Sequence, residues 1–379
     1  MSPARATGAV SPGELELKAE EKMMTETLDE QTSIVVPEAP TIAGLSFRGF
    51  RGEADLPGMI AVIERSRTAD QDEYVETVDD LRRQYQHLVN SDPATDMLFV
   101  EMHGELIGYA RVWWAQVVDG PRIYSHFAHL VPAWRKKGIR RAMLRHNERR
   151  LATIAAAHTT HTARYFEAWA AGTERDWTAL LKQEGYTPIR YSFDMVRPHL
   201  NEIPEIPIPE GLDVRPVNSE DYGAVWDAAR EAFRDHWGFT EEEWAETQFE
   251  SWQKDETFTP DLWQVAWAGE EVAGMVLNFV SAAENRTFNR QRGYTETICV
   301  RRPWRRRGLA RALIARSLRL LRDHGMNEAA LGVDAENPHG ALRLYESMGY
   351  QVVKRGAAYR KPLDPRGPAA KGNQPYHHP

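Results

Sequence analysis

The chain has a single cysteine, Cys299, in 379 residues, which excludes an internal disulfide and a cysteine-built zinc cluster. It has no apolar run near the roughly 18 to 20 residues that span a bilayer. Ser2 to Glu30 is rich in Ala, Pro, Glu and Thr, and lacks the charged-then-apolar order of a secretory leader. Lysine is scarce, 9 of the 47 basic residues against 38 arginines; we read this skew as coding bias. Net positive charge is also missing. A formal charge of −8 argues against nucleic acid as the main partner. His339, His377 and His378 show no paired ligand spacing. The expectation is therefore a soluble cytoplasmic protein, monomer or homodimer, with no metal, no membrane and no nucleic acid.

What is present is an internal repeat. Trp134-Arg135-Lys136-Lys137-Gly138-Ile139 resembles Trp304-Arg305-Arg306-Arg307-Gly308-Leu309, 170 residues on. Glu105-Leu106-Ile107-Gly108 resembles Glu271-Val272-Ala273-Gly274, 166 on, and Glu184-Gly185-Tyr186 resembles Met348-Gly349-Tyr350, 164 on. Three landmarks in one order at nearly constant offset imply two copies of about 150 residues. The run NEIPEIPIPEG from Asn201 to Gly211 reads as an extended linker. The expected plan is a tail over 1–40, a first domain over 41–200, a linker over 201–210, a second domain over 211–361 and a tail over 362–379.

Within the second copy, Leu212–Val217 alternates like a strand and a helix follows from about Ser219 to Phe233. Trp263–Ala268 and Glu271–Phe279 read as a hairpin around Gly269, and Tyr294–Val300 as a further strand. Leu309–Asp323 reads as a helix with Leu309, Leu313, Leu320 and Leu321 for its buried face and Gly325 as its stop. Ala329–Val333 is a short buried strand. Asn337 and Pro338 read as the cap and first turn of a last helix ending at Gly349. The fold class is α+β, layered on a mixed sheet.

The sharpest local signal is strand, then Arg305-Arg306-Arg307-Gly308-Leu309-Ala310, then helix. Six arginines fall in the eleven positions 301–311. Glycine or alanine lets backbone amides approach a ligand closely, and a helix N-terminus favours an anion. Arginine adds bidentate charge toward phosphate. This physics describes a turn suited to pyrophosphate, and neither a P-loop nor a dinucleotide fingerprint. Read from the residues alone, a plain basic helix start remains an equal alternative. The second element, Asn337 with Ala341, Leu344, Tyr345, Gly349 and Tyr350, follows the next strand directly.

Together the two segments resemble the GNAT superfamily of N-acetyltransferases, well over residues 211–361 and weakly over 45–198. The resemblance implies two tandem domains, each a mixed, mostly antiparallel central sheet flanked by helices. It implies acetyl-CoA as cosubstrate, no metal, and transfer of acetyl to a primary amine by direct attack in a ternary complex. Backbone of Ile298, Cys299 and Val300 would pair with pantetheine, and the turn Arg305, Arg306, Arg307, Gly308, Leu309 and Ala310 would hold pyrophosphate. Asn337 would support the pantetheine region, Tyr345 would protonate the leaving thiolate, and Glu296 would be the base.

Asp235 and Trp237, where the superfamily's acceptor loop lies, would bind the acceptor, a small molecule or a protein amine. A packed loop is an equal reading of that segment. Cys299 reads as a small buried side chain rather than a nucleophile. In the first copy Arg140 stands where the second small residue belongs, and Leu181 stands opposite Tyr345. That copy reads as structural, or as one wall of the acceptor cleft. The tandem plan, degenerate first and intact second, is similar to that of the mycothiol synthases. The other reading is a non-catalytic acyl-CoA-binding regulatory module.

Overall fold

The protein is described over residues 33–337 and 339–364 in a computed structural model. Its first half runs β1 (Leu45–Arg48), α1 (Leu56–Asp70), α2 (Val78–Gln86), β2 (Met97–Met102), β3 (Glu105–Gln116), β4 (Arg122–Leu130), α3 (Ile139–Ala156), β5 (Arg164–Ala171), α4 (Arg175–Gln183) and β6 (Thr187–Arg197). The second half runs β7 (Asp213–Val214), α5 (Tyr222–Phe233), α6 (Glu246–Trp252), β8 (Gln264–Ala268), β9 (Glu271–Phe279), α7 (Ala282–Thr287), β10 (Arg292–Val300), α8 (Leu309–Asp323), β11 (Glu328–Asp334), α9 (Ala341–Ser347) and β12 (Gln351–Pro362).

All twelve strands join one sheet in the order β1-β2-β3-β4-β5-β12-β6-β11-β10-β9-β8-β7. Neighbours are antiparallel except the β4–β5 and β10–β11 pairs. The mixed, mostly antiparallel sheet and its flanking helices are the layered α+β arrangement expected. The connectivity at the centre is not legible in the repeat. Strand β12 pairs with β5 of the first half, and β6 pairs with β11 of the second. The last strand of each half is thus interleaved with the other's, and β6 and β12 pair from Val196↔Gln351 to Thr187↔Arg360. Gly356 lies against Trp169, and an added Cβ there would run into that ring. Because β12 lies between β5 and β6, and β6 in turn carries β11 of the second half, truncation after Gly349 is expected to unfold the whole molecule rather than one half. A thermal melt by circular dichroism that kept one cooperative transition would contradict this.

Each face of the second half has its own core. Helix α8 buries Leu309, Leu313, Ser317, Leu318 and Leu321, a stripe at helical spacing. Leu318 takes the place expected for Leu320. The opposite face packs α5 on Trp263, Trp267, Met275 and Cys299. Trp252 and Trp263 stack there at 5.2 Å between centroids, with Trp226 tilted against Trp252, so tryptophan is abundant partly for packing.

Several boundaries differ from the sequence expectation. The strand over 212–217 shrinks to Asp213–Val214, because Pro216 lacks the amide a ladder needs. The helical segment starts at Ser219 as expected, with the preceding Asn218 amide donating to the Asp221 carboxylate at 2.9 Å. Helix α9 starts at Ala341, capped by Gly340 at φ +72°. Asn337 therefore caps no helix; its Oδ1 accepts from the His339 amide in a tight turn. Pro338 lies outside the described residues. Ser33 to Pro40, expected in the tail, pack onto the sheet: the Ile34 amide donates to the Phe47 carbonyl at 2.9 Å and Val36 is buried. Residues 1–32 and 365–379 of the expected tails lie outside the described residues. The proline-alternating segment runs extended beside α8, with Arg307 and Arg319 donating to the Glu210 and Pro204 carbonyls.

Candidate active site

The site begins where β10 and β11 part. They pair only from Arg292↔Glu328 to Tyr294↔Ala330, although β10 continues to Val300 and β11 to Asp334. Just past the last pair, β10 bulges against β9 between Glu296 and Cys299, and Thr297 takes φ +46°. A β-branched residue there is strained, and such strain tends to sit at functional sites. A cleft of about 1160 Å³ opens at the parting, lined among others by Thr295 to Val300, Gly308 to Arg311, Asn337 and Tyr345.

One wall is the turn into α8. Arg306 at φ +62° and Gly308 at φ +84° fold it so that a Cβ at Gly308 would meet nothing within 4 Å. Among the described residues, the amides of Arg306 to Arg311 donate to no backbone carbonyl, and the next, Ala312, bonds to Gly308. Unsatisfied amides at a helix N-terminus favour an anion. The six arginines divide their work. Arg301 pairs with Glu231, Arg302 with Asp235, and Arg307 donates to the Glu210 carbonyl. Arg305 donates to the Val300 carbonyl at 2.9 Å and also holds Asp235 at 3.2 Å, so it clamps the turn. Arg306 and Arg311 line the cleft without a protein partner among the described residues. Arg311 was missed in the sequence reading, although it lies one turn beyond Gly308.

Glu296 and Tyr345 reach this parting from different elements. Glu296 Oε1 accepts from the Gly332 amide on β11 at 3.0 Å. Protein surrounds the carboxyl although the clefts reach it. That desolvation raises its pKa to about 7, with the Gly332 bond opposing and Asp194 adding to the rise. A carboxyl poised there can take a proton near neutral pH. Tyr345 on α9 is buried, and desolvation, then Glu296 and Cys299, push its pKa well above the ordinary phenol value. It therefore keeps its proton over the working range. Burial lifts the Cys299 thiol to about 12, so it is a packed side chain and not a nucleophile.

Glu296 and Gly332 also line a second cleft of about 660 Å³. Its walls come from both halves, including Asp72 to Val75 after α1, Asp194 to Val196 on β6, and Asp255 to Thr257 after α6. Asp235 and Trp237 do not line it. Asp235 is held by Arg302 and Arg305, which lower its carboxyl to about 2, and the Trp237 ring has the Arg190 and Arg360 guanidiniums at 5.6 and 4.8 Å from its centre.

The first half keeps the scaffold but not the counterparts of Glu296 and Tyr345. Strands β4 and β5 part after Ser125↔Glu167, and Lys136 and Gly138 repeat the positive φ angles. Arg135 donates to Leu130 and pairs with Asp70 as Arg305 does with Val300 and Asp235. Buried Tyr186 bonds His126 as Tyr350 bonds Thr295. Strand β4, however, pairs with β3 without a bulge, so Phe127 takes the place of Glu296, and Leu181 that of Tyr345. The gap is filled. Arg140 is buried, donates to the Ala128 carbonyl at 2.7 Å, pairs with Glu174 and lies 4.2 Å from the Trp177 ring centre. Pro40 comes within 3.7 Å of where a Gly138 Cβ would stand.

Residues 226–350 match the model of the acetyltransferase (GNAT) family. The mycothiol acetyltransferase of Streptomyces scabiei is 28% identical over 270 residues, covering 69% of this chain and 79% of that protein. The mycothiol acetyltransferase of Streptomyces bingchenggensis is 29% identical over 278 residues, covering 70% and 80%. A solved GCN5-related N-acetyltransferase from Sphaerobacter thermophilus is 26% identical, with a TM-score of 0.64 over 86% of this chain and 97% of that one. A tandem GNAT protein from the clavulanic acid pathway shares the fold at 12% identity, with a TM-score of 0.63 over 85% and 99%. Among the described residues no helix is long and apolar enough to cross a membrane, and no group of three His, Cys, Asp or Glu is placed to hold a metal.

Proposed function

Starting from a chain that carries a GNAT acetyltransferase domain and is an N-acetyltransferase of that type, we propose that it moves acetyl from acetyl-CoA directly to a small-molecule primary amine in the second half. The observation that carries this reading is the meeting of a half-buried base, Glu296, and a buried phenol, Tyr345, at a strand parting beside six unpaired amides. The residues fit a phosphate-bearing thioester. Amides 306–311 with Arg306 and Arg311 would hold its pyrophosphate, and backbone of Ile298 to Val300, with Asn337 across the gap, would line its pantetheine arm. Bound acetyl-CoA supplies an activated acyl group and a thiolate leaving group.

The chain's own residues handle protons and position. Glu296 takes the proton that the attacking ammonium must lose, directly or through water. Backbone amides freed from the ladder by the bulge at Thr297 support negative charge on the carbonyl oxygen under attack. The Tyr345 hydroxyl supplies a proton to the departing sulfur. The clefts on either side of Glu296 suit the ternary arrangement, thioester from one and amine from the other. The relatives' names make a mycothiol-type small molecule the first acceptor to try.

The test is thiol release from acetyl-CoA across a panel of primary amines. Amine-dependent release, lowered about 10²-fold in Tyr345→Phe, is the expected outcome; amine-independent release alone would defeat the reading. We place one cofactor site per chain, because Arg140 occupies the first half's gap. Gly138→Glu is accordingly expected to leave acetyl-CoA affinity unchanged, which calorimetry checks.

A further inference from the structure

We infer that Asp194, delivered by the interleaved strand β6, is the anchor for the acceptor's ammonium group; this rests on the acetyl-transfer reading above. Asp194 stands opposite Gly332 in the β6–β11 ladder, and Gly332 is the residue whose amide holds Glu296. All three line the second cleft. Base and anchor are thus tied through one backbone position, and the anchor comes from the half that has lost its own chemistry.

Most of the other charged groups of that cleft are committed elsewhere. Glu73 is held by Arg290 and Arg292, and Glu284 by Arg290 and Tyr294. Asp255 accepts from Thr257, Asp80 accepts the Thr77 amide in the capping box of α2 and pairs with Arg83, and Asp72 accepts the Tyr74 amide. Glu256 has no hydrogen-bond or ion-pair partner among the described residues, but it and Glu296 do not act on each other's carboxyl, whereas Asp194 raises that of Glu296. Lys354 on β12 donates to the Gln71 carbonyl and is the cation nearest in effect to Asp194. Arg355 lies over the Phe193 ring. Asp194 itself has no hydrogen-bond or ion-pair partner among the described residues.

An unpaired carboxylate beside a base is what an amine substrate needs on arrival. A primary alkylamine enters as the ammonium ion, its pKa near that of lysine, about 10.4. Asp194 can hold that cation while Glu296 accepts one of its protons, and the neutral amine is left at the parting. The like charge on Asp194 also favours the protonated form of Glu296, in keeping with its contribution to the raised carboxyl. Tyr345 faces Glu296 from α9 and stays neutral.

The test is Asp194→Asn in the full-length protein, with saturating acetyl-CoA, glucosamine and 1,4-diaminobutane as probe amines, and thiol release followed from about pH 5 to about pH 9. The inference predicts a rise of about tenfold in amine KM, equivalent to losing about one charge-assisted contact. It also predicts that the acidic limb of kcat/KM moves to lower pH, while the KM for acetyl-CoA is unchanged. Asp194→Glu should restore both readouts in part. A variant that folds and keeps the parent's amine KM and pH limb overturns the inference. A stability loss alone would move neither readout. If the parent protein itself releases no thiol with either amine or any other of the panel, the acetyl-transfer reading fails first, and the anchor with it.

Discussion

Replacing Glu296 by glutamine is expected to lower turnover about 10²- to 10³-fold, the range for loss of a positioned general base, while acetyl-CoA affinity stays within about twofold. Glutamine keeps the shape and can still accept the Gly332 amide, so the loss isolates proton transfer. In the parent protein, the rate should climb with pH through about 7 as the carboxyl ionises; in the variant that limb should vanish. Stability should move the opposite way. The folded-state pKa of Glu296 lies above its ordinary value, so the fold binds this proton more tightly than the unfolded chain does. That contribution is fully present below about pH 4.5 and is lost as pH rises through about 7. Glu296→Gln should therefore melt at a higher temperature than the parent at alkaline pH and at a similar one in acid. Equal turnover would remove Glu296 from the proton path.

Replacing Gly308 by glutamate is expected to weaken acetyl-CoA binding by at least about 10²-fold, equal to about 2.7 kcal/mol. Two causes act together. A side chain at φ +84° is strained by about 1 kcal/mol or more, and a carboxylate would stand at the amides that favour an anion. Gly308→Ala separates them. Its Cβ meets nothing within 4 Å, so only the backbone strain remains and most of the affinity should survive. If alanine and glutamate weaken binding equally, charge at the turn is not what matters.

Much of this was legible in the residues. The turn, the helix over Leu309–Asp323 and the hairpin around Gly269 follow from local periodicity, small residues and polar caps, and those signals are carried by a few neighbouring positions. The departures of the first copy from the second were legible at Arg140 and Leu181. Their physical form was not: that Arg140 bonds the Ala128 carbonyl depends on a gap 12 residues away in sequence. The bulge that sets Glu296 apart from Phe127 is one extra residue in a ladder, invisible without its partner strand. The interleaving of β6 and β12 was beyond sequence for the same reason, since a strand's pattern states which face is buried and not which neighbour it takes. The partners of Asp235 were not legible, because an acidic residue in a loop looks free until Arg302 and Arg305 are seen to hold it.

The central claim, one working cofactor site in the second half of a fused sheet, is tested most directly by calorimetric titration of acetyl-CoA into the full-length protein. The account predicts one site per chain, lost in Gly308→Glu and retained in Gly138→Glu. Two sites per chain, or binding that survives Gly308→Glu, would contradict it.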